Sequence, residues 1–86
     1  MKHLVKGRRT TDHPDGEGHT LAPGDYGRVG GEWYACTPSG DLAGLARHDV
    51  TEHEDGTISV APSILVRDGH EELWHGWLER GVWRPA

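Results

Sequence analysis

Near the end of the chain, in Leu73-Trp74-His75-Gly76-Trp77-Leu78-Glu79-Arg80-Gly81-Val82-Trp83-Arg84, apolar residues fall on positions that a folded-back strand would bring to one face. A two-residue turn at Arg80-Gly81 pairs Glu79 with Val82, Leu78 with Trp83 and Trp77 with Arg84. Side chains alternate across a strand, so Trp74, Leu78 and Trp83 then share the buried face. Trp77 and Arg84 stand opposite each other on the other face, where a cation–π contact and a binding hot spot are both open to them.

The pattern upstream is of short strands cut by turn residues. Gly30-Gly31 separates Tyr26–Val29 from Glu32–Cys36, predicting a hairpin, and Thr37-Pro38-Ser39-Gly40 predicts a turn. The stretch 41–47 is ambiguous: Leu42 and Leu45 allow one helical turn, which Gly44 weakens. Asp55-Gly56 predicts a two-residue hairpin turn that pairs Glu54 with Thr57, His53 with Ile58 and Thr51 with Val60. That register sends Thr51, His53, Ile58 and Val60 to the core, and Val50, Glu52, Glu54, Thr57 and Ser59 to the other face. A further short strand, Ser63–Val66, begins after Pro62, and Asp68-Gly69 turns into the Trp hairpin. Six or seven such strands predict an all-β fold, a small antiparallel β-sandwich or roll of hairpins.

Composition sharpens this picture. The chain has 86 residues, 34% of them hydrophobic, with no Phe, four Trp and 13 Gly. A single domain of this size has a lean core, and its Trp residues must carry much of it. The single Cys rules out an internal disulfide and fits a reducing compartment. No apolar run approaches the ~20 residues of a membrane span, and the basic start leads into polar residues 7–12 rather than the apolar stretch of a secretory signal. The expectation is therefore no membrane, and cytoplasm or virion rather than export.

Residues 1–25 differ from the rest. Gly, Pro, Asp, His and Thr dominate 7–24, a composition that cannot bury enough surface by itself to offset the entropy of ordering. This predicts an extended polar N-terminal arm ahead of an all-β domain at 26–86, ordered by docking on a neighbouring subunit. Net charge is −5, yet Lys2, Lys6, Arg8 and Arg9 precede the first acid. Lys6, Arg8 and Arg9, with Trp77 and Arg84, are the candidate partner-binding residues. Four cations without interleaved aromatics argue against nucleic acid as the main partner.

Candidate chemistry is sparse. Seven His and one Cys raise the possibility of zinc, which needs four converging ligands, usually in short-spaced pairs. Cys36 stands alone, and the spacings His48–His53 and His70–His75 are odd, so neither pair shares a strand face. Cys36, His53 and His75 are candidate ligands that only the fold could bring together. The alternative for each is a small hydrophobe or a hydrogen-bonded strand residue. Ser39, Ser59 and Ser63 lack a G-x-S-x-G elbow, and the glycines match no phosphate cradle. Nothing predicts an enzyme or a resident cofactor.

The segment His48 to Val66, with Asp55-Gly56-Thr57 and Pro62-Ser63-Ile64, followed by Trp74-His75-Gly76-Trp77-Leu78-Glu79-Arg80-Gly81-Val82-Trp83, resembles a family of small all-β domains from bacteria and actinobacterial phages, uncharacterised in function. The resemblance covers about residues 26 to 84. It implies a phage or bacterial origin. Bacterial members often carry a C-x-C-G motif and a later Cys, suggesting zinc; the corresponding stretch here reads Cys36-Thr37-Pro38-Ser39-Gly40, with no second Cys. The combined expectation is a non-enzymatic binding or assembly protein, most concretely a capsid decoration or minor structural component of a virion, working with a protein partner or as a homo-oligomer. A zinc-binding accessory module, or an early phage protein that binds a host factor, are the alternatives.

Overall fold

A computed structural model describes residues 3–11 and 21–86. Among these the chain forms nine strands and no helix: β1 (Val5–Lys6), β2 (Arg8–Arg9), β3 (Asp25–Val29), β4 (Glu32–Cys36), β5 (Leu42–Gly44), β6 (Asp49–Glu52), β7 (Ile58–Asp68), β8 (Glu71–Glu79) and β9 (Val82–Pro85). One sheet runs β1-β9-β8-β7-β6 and the other β2-β3-β4-β5. The buried cluster draws Tyr26 and Ala35 from the second sheet, Leu45 from the turn between sheets, and Ile58, Val60, Ile64, Leu78 and Trp83 from the first. The small all-β fold expected from the hydrophobic pattern, a sandwich or roll, is observed as two largely antiparallel sheets around this core.

The Trp hairpin forms in the expected register: Glu79 faces Val82, Leu78 faces Trp83 and Trp77 faces Arg84. Trp83 is fully buried, meets Trp74 edge-on at 5.8 Å, and donates its indole N–H to the Gly24 carbonyl at 3.0 Å. A buried indole N–H is costly without an acceptor, and for Trp83 a chain turn supplies one. The Gly30-Gly31 hairpin also forms as the sequence predicts, with Val29 facing Glu32 and both glycines at positive φ, 60° and 83°.

Three expectations are corrected. The Asp55-Gly56 loop is one residue longer than a two-residue turn. His53 N–H bonds Thr57 O at 2.8 Å and Gly56 N–H bonds His53 O at 3.0 Å, with Gly56 at φ 86°. This three-residue loop ends on a left-handed glycine, and it pairs Val50 with Val60 and Glu52 with Ile58. A one-residue slip flips a strand. Thr51 is therefore exposed, His53 is half-buried, and Val50 and Glu52 take the inward side. Second, Pro62 does not delimit a new strand: β7 runs through it, and the ladder to β8 shifts register between Val60 and Ile64, where a residue without an N–H does least harm. Third, the ambiguous stretch resolves as strand rather than helical turn: residues 42–44 form β5, paired with β4 on one edge, and Leu45 beyond them is buried.

The N-terminal segment departs furthest from expectation. Val5 and Lys6 pair antiparallel with Trp83 and Val82 in one sheet, and Arg8 and Arg9 pair parallel with Asp25 and Tyr26 in the other. Residues 3–11 do not reach away from the body as a free arm; they are a strap that laces its two sheets along one side. Asp25 belongs to the body as the first residue of β3. Residues 1–2 and 12–20 of the expected arm lie outside the described residues. Between the two short strands Gly7 passes so close to the body that a Cβ there would lie 2.8 Å from Gly24 O and 2.9 Å from Gly81 O. Only glycine permits that approach.

Candidate functional site

Two clusters of polar and aromatic side chains emerge from this arrangement. The first closes one mouth of the sandwich. Arg28 and Trp33 face each other across β3 and β4 on the same side as buried Tyr26 and Ala35, and Glu52 shares the side of buried Ile58 in the opposite sheet. Arg9 enters from the strap. Both guanidinium groups stack on Trp33, Arg9 at 4.7 Å and Arg28 at 4.8 Å from the ring centre. Glu52 accepts from Arg9 at 2.8 Å and from Arg28 at 2.6 Å, and Arg9 also donates to Gly56 O at 3.0 Å. The Arg9 hydrogen bond, with the nearby Arg28 charge, holds the Glu52 carboxyl below its ordinary value. Chemically this is a clasp. One carboxylate joins strap, β3 and β6, and the tryptophan gives two arginines a common surface.

Arg8 is held in a comparable way. It donates twice to Asp25, at 2.9 and 3.2 Å, and that carboxylate also accepts Ala22 N–H at 3.0 Å. The Asp25 side chain is only 6% exposed, whereas that of Arg8 is 73% exposed. The fork geometry suits a carboxylate, and the bond and charge of Asp25 raise the Arg8 pKa further.

Beside the clasp lies an open depression of about 470 Å³ lined by Glu52, His53, Glu54, Asp55 and Arg80. Its carboxylates are largely committed. Glu52 serves the two arginines, and Asp55, its pKa lowered mainly by the Thr57 hydroxyl, caps the loop through Thr57 Oγ1 and N–H. His53 Nε2 lies 2.8 Å from Ser59 Oγ, which also accepts Arg80 N–H at 2.9 Å.

The second cluster lies on the outer face of the five-stranded sheet. Arg84 stacks on Trp77 at 4.4 Å and donates to Glu79 at 2.6 and 3.0 Å. His75 lies beside Trp77 with ring centres 6.0 Å apart, and its Nε2 is 3.0 Å from Ser63 Oγ. Its Nδ1 is 3.9 Å from Glu72, too far for a hydrogen bond. Leu65, opposite His75, is 44% exposed. Lys6 extends the same face beyond Val82.

The candidate residues therefore separate. Trp77 and Arg84 meet as the hairpin register requires, and Lys6 is exposed on their side of the sheet. Arg8 and Arg9 each pair with a carboxylate of the same chain, Arg8 at the surface and Arg9 partly buried. Cys36, His53 and His75 are not brought together: Cys36 is buried in the four-stranded sheet, its thiol pKa pushed up by burial, while each histidine is tied to a serine. Among the described residues no three His, Cys, Asp or Glu side chains converge to hold a metal. The sequence reading missed Trp33, Arg28, Glu52 and Asp25. Arg28 opposite Trp33 was available from the Gly30-Gly31 hairpin, just as Trp77 opposite Arg84 was from the other. Glu52 was hidden by the one-residue error at Gly56.

Comparison of the chain with protein-family models, with curated proteins and with solved structures returns no match.

Proposed function

We propose that this chain is a non-enzymatic binding and assembly protein that engages another protein through the outer face built on Trp77 and Arg84. The observation that carries the reading is that face itself: an aromatic ring stacked with an arginine, flanked by His75 and exposed Leu65, on a rigid sheet. Trp and Arg recur at interface hot spots because they combine large contact area with fixed polar geometry. A protein partner is favoured over nucleic acid because Arg8, Arg9, Arg28 and Arg84 are each paired with a carboxylate of the same chain, and the net charge is −5.

The setting we propose is a phage particle, with the chain as a decoration or minor structural component seated on a neighbouring virion subunit. The support for that setting is the sequence resemblance above. The strap changes how such docking works: residues 3–11 complete the domain that docks. Mass spectrometry of purified particles of the encoding phage tests the setting, and Trp77→Ala combined with Arg84→Ala tests the face. The expected result is wild-type protein in particles and a folded double variant missing from them. Absence of the wild-type chain removes the virion setting, and undiminished incorporation of the double variant removes the face.

A further inference from the structure

Among the described residues, each sheet of the sandwich has one edge occupied by the strap and one edge with no further strand, β6 in the first sheet and β5 in the second. Open edges carry unpaired backbone groups, and proteins usually guard them with charge, proline or a bulge. The β6 edge is guarded, with Asp49 and Glu52 in four residues. The β5 edge, Leu42-Ala43-Gly44, is not; Leu42 is 55% exposed.

The backbone direction along β5 follows from its bonds to β4. Thr37 N–H bonds Asp41 O at 2.9 Å, and Leu45 N–H bonds Trp33 O at 3.0 Å, so Asp41 and Leu45 point their backbone groups inward. In an antiparallel ladder these alternate, so Ala43 also points toward β4, while Leu42 and Gly44 direct N–H and C=O outward. Two residues separated by one are the minimum that a second identical edge can match.

We propose that β5 is a contact edge between two copies of this chain, paired antiparallel about a twofold axis through Ala43. In that register Leu42 faces the partner's Gly44 and Gly44 faces the partner's Leu42. Each pair exchanges both N–H···O bonds, so every outward group of the two edges is satisfied. The side chains agree with the backbone. Gly44 lies beside Tyr34, whose Cε1 would be 3.5 Å from a Cβ at that position. With no Cβ there, the ring edge of Tyr34 stays open above Gly44, and Leu42 of the opposing copy stands directly over it. A leucine facing a glycine beside an aromatic ring is self-complementary only in this register. The two four-stranded sheets then run on as one.

The edge is three residues long, well short of the ~1,200 Å² of a stable specific interface. The dimer is therefore weak alone and forms at high local concentration, as on a crowded surface. It is independent of the Trp77 face, which lies on the other sheet.

Sedimentation of the purified chain from micromolar to millimolar concentration tests the proposal, with hydrogen exchange read at Leu42 and Gly44. The expected result is a concentration-dependent dimer in which those two amides gain protection, lost on Leu42→Lys while Trp fluorescence shows the fold intact. Trp77→Ala leaves the dimer in place. A monomer throughout, a dimer that survives Leu42→Lys, or one abolished by Trp77→Ala overturns the β5 edge; the last moves self-association to the outer face of the other sheet.

Discussion

Gly7 offers the most direct test of the strap. Replacing it by alanine places a methyl carbon 2.8 Å from Gly24 O, 2.9 Å from Gly81 O and 3.0 Å from Tyr26 Cε1. The two carbonyls belong to turns that cannot recede freely, and they are also the acceptors that hold the strap: Gly7 N–H bonds Gly81 O at 2.7 Å and Arg8 N–H bonds Gly24 O at 3.2 Å. Relief of the clash pulls the strap away from its own acceptors. Overpacking typically costs about 1–3 kcal/mol, and each weakened hydrogen bond about 0.5–1.5 kcal/mol. Alanine recovers about 0.4–1 kcal/mol by restricting the unfolded chain. The expected net loss is about 3 kcal/mol, read by urea denaturation, with the amides of residues 5–9 exchanging faster than those of β7 and β8. Lys6→Ala, at an exposed neighbour, is the control and should stay within about 0.5 kcal/mol of wild type. If Gly7→Ala matches that control and strap protection is unchanged, the close crossing between sheets is refuted.

Four further outcomes follow from the same geometry. Trp83→Phe keeps a ring in the core but removes the N–H given to Gly24 O and part of the packing against Trp74, and should cost about 1–3 kcal/mol in urea denaturation. Arg80→Asn should stabilise by about 1 kcal/mol, because Arg80 holds φ 46° in the turn, a region asparagine enters at lower cost; no gain in thermal midpoint would contradict this. Glu52 is held below its ordinary value of 4.5 by Arg9 and Arg28, so its contribution is present in full above that pH and is lost as the pH falls through the folded value. Trp33 fluorescence and strap exchange should therefore change on acidification, and Glu52→Gln should flatten the response. The Cys36 thiol, buried and with its pKa raised by that burial, should react with a thiol reagent only after unfolding; rapid labelling of native protein would contradict the placement of β4.

Much of this architecture is written locally. The Gly30-Gly31 pair, the Arg80-Gly81 turn and the spacing of Trp74, Leu78 and Trp83 specify two hairpins, because turn geometry and side-chain alternation act over a few residues and need no knowledge of the rest. The same rules assigned Trp77 to Arg84, and would have assigned Arg28 to Trp33. They failed at Asp55-Gly56 because the same dipeptide closes a two-residue or a three-residue loop, and the choice is made by which register buries Val50 and Val60 together. Glu52 reached the inward side as a consequence, and with it the clasp.

What residues 3–11 do could not be read locally. Their polar composition is that of a tail, and alone they have nothing to pack against. They are ordered because the folded body presents a nearly buried Asp25, the free edges of β9 and β3, and two turn carbonyls spaced for a glycine. Ion pairs between residues 17 and 43 apart in sequence depend on chain closure, which no local pattern encodes. By itself the chain's pattern determined strands, turns and one aromatic face; the tertiary structure decided which arginines were spent inside and which edge was left open.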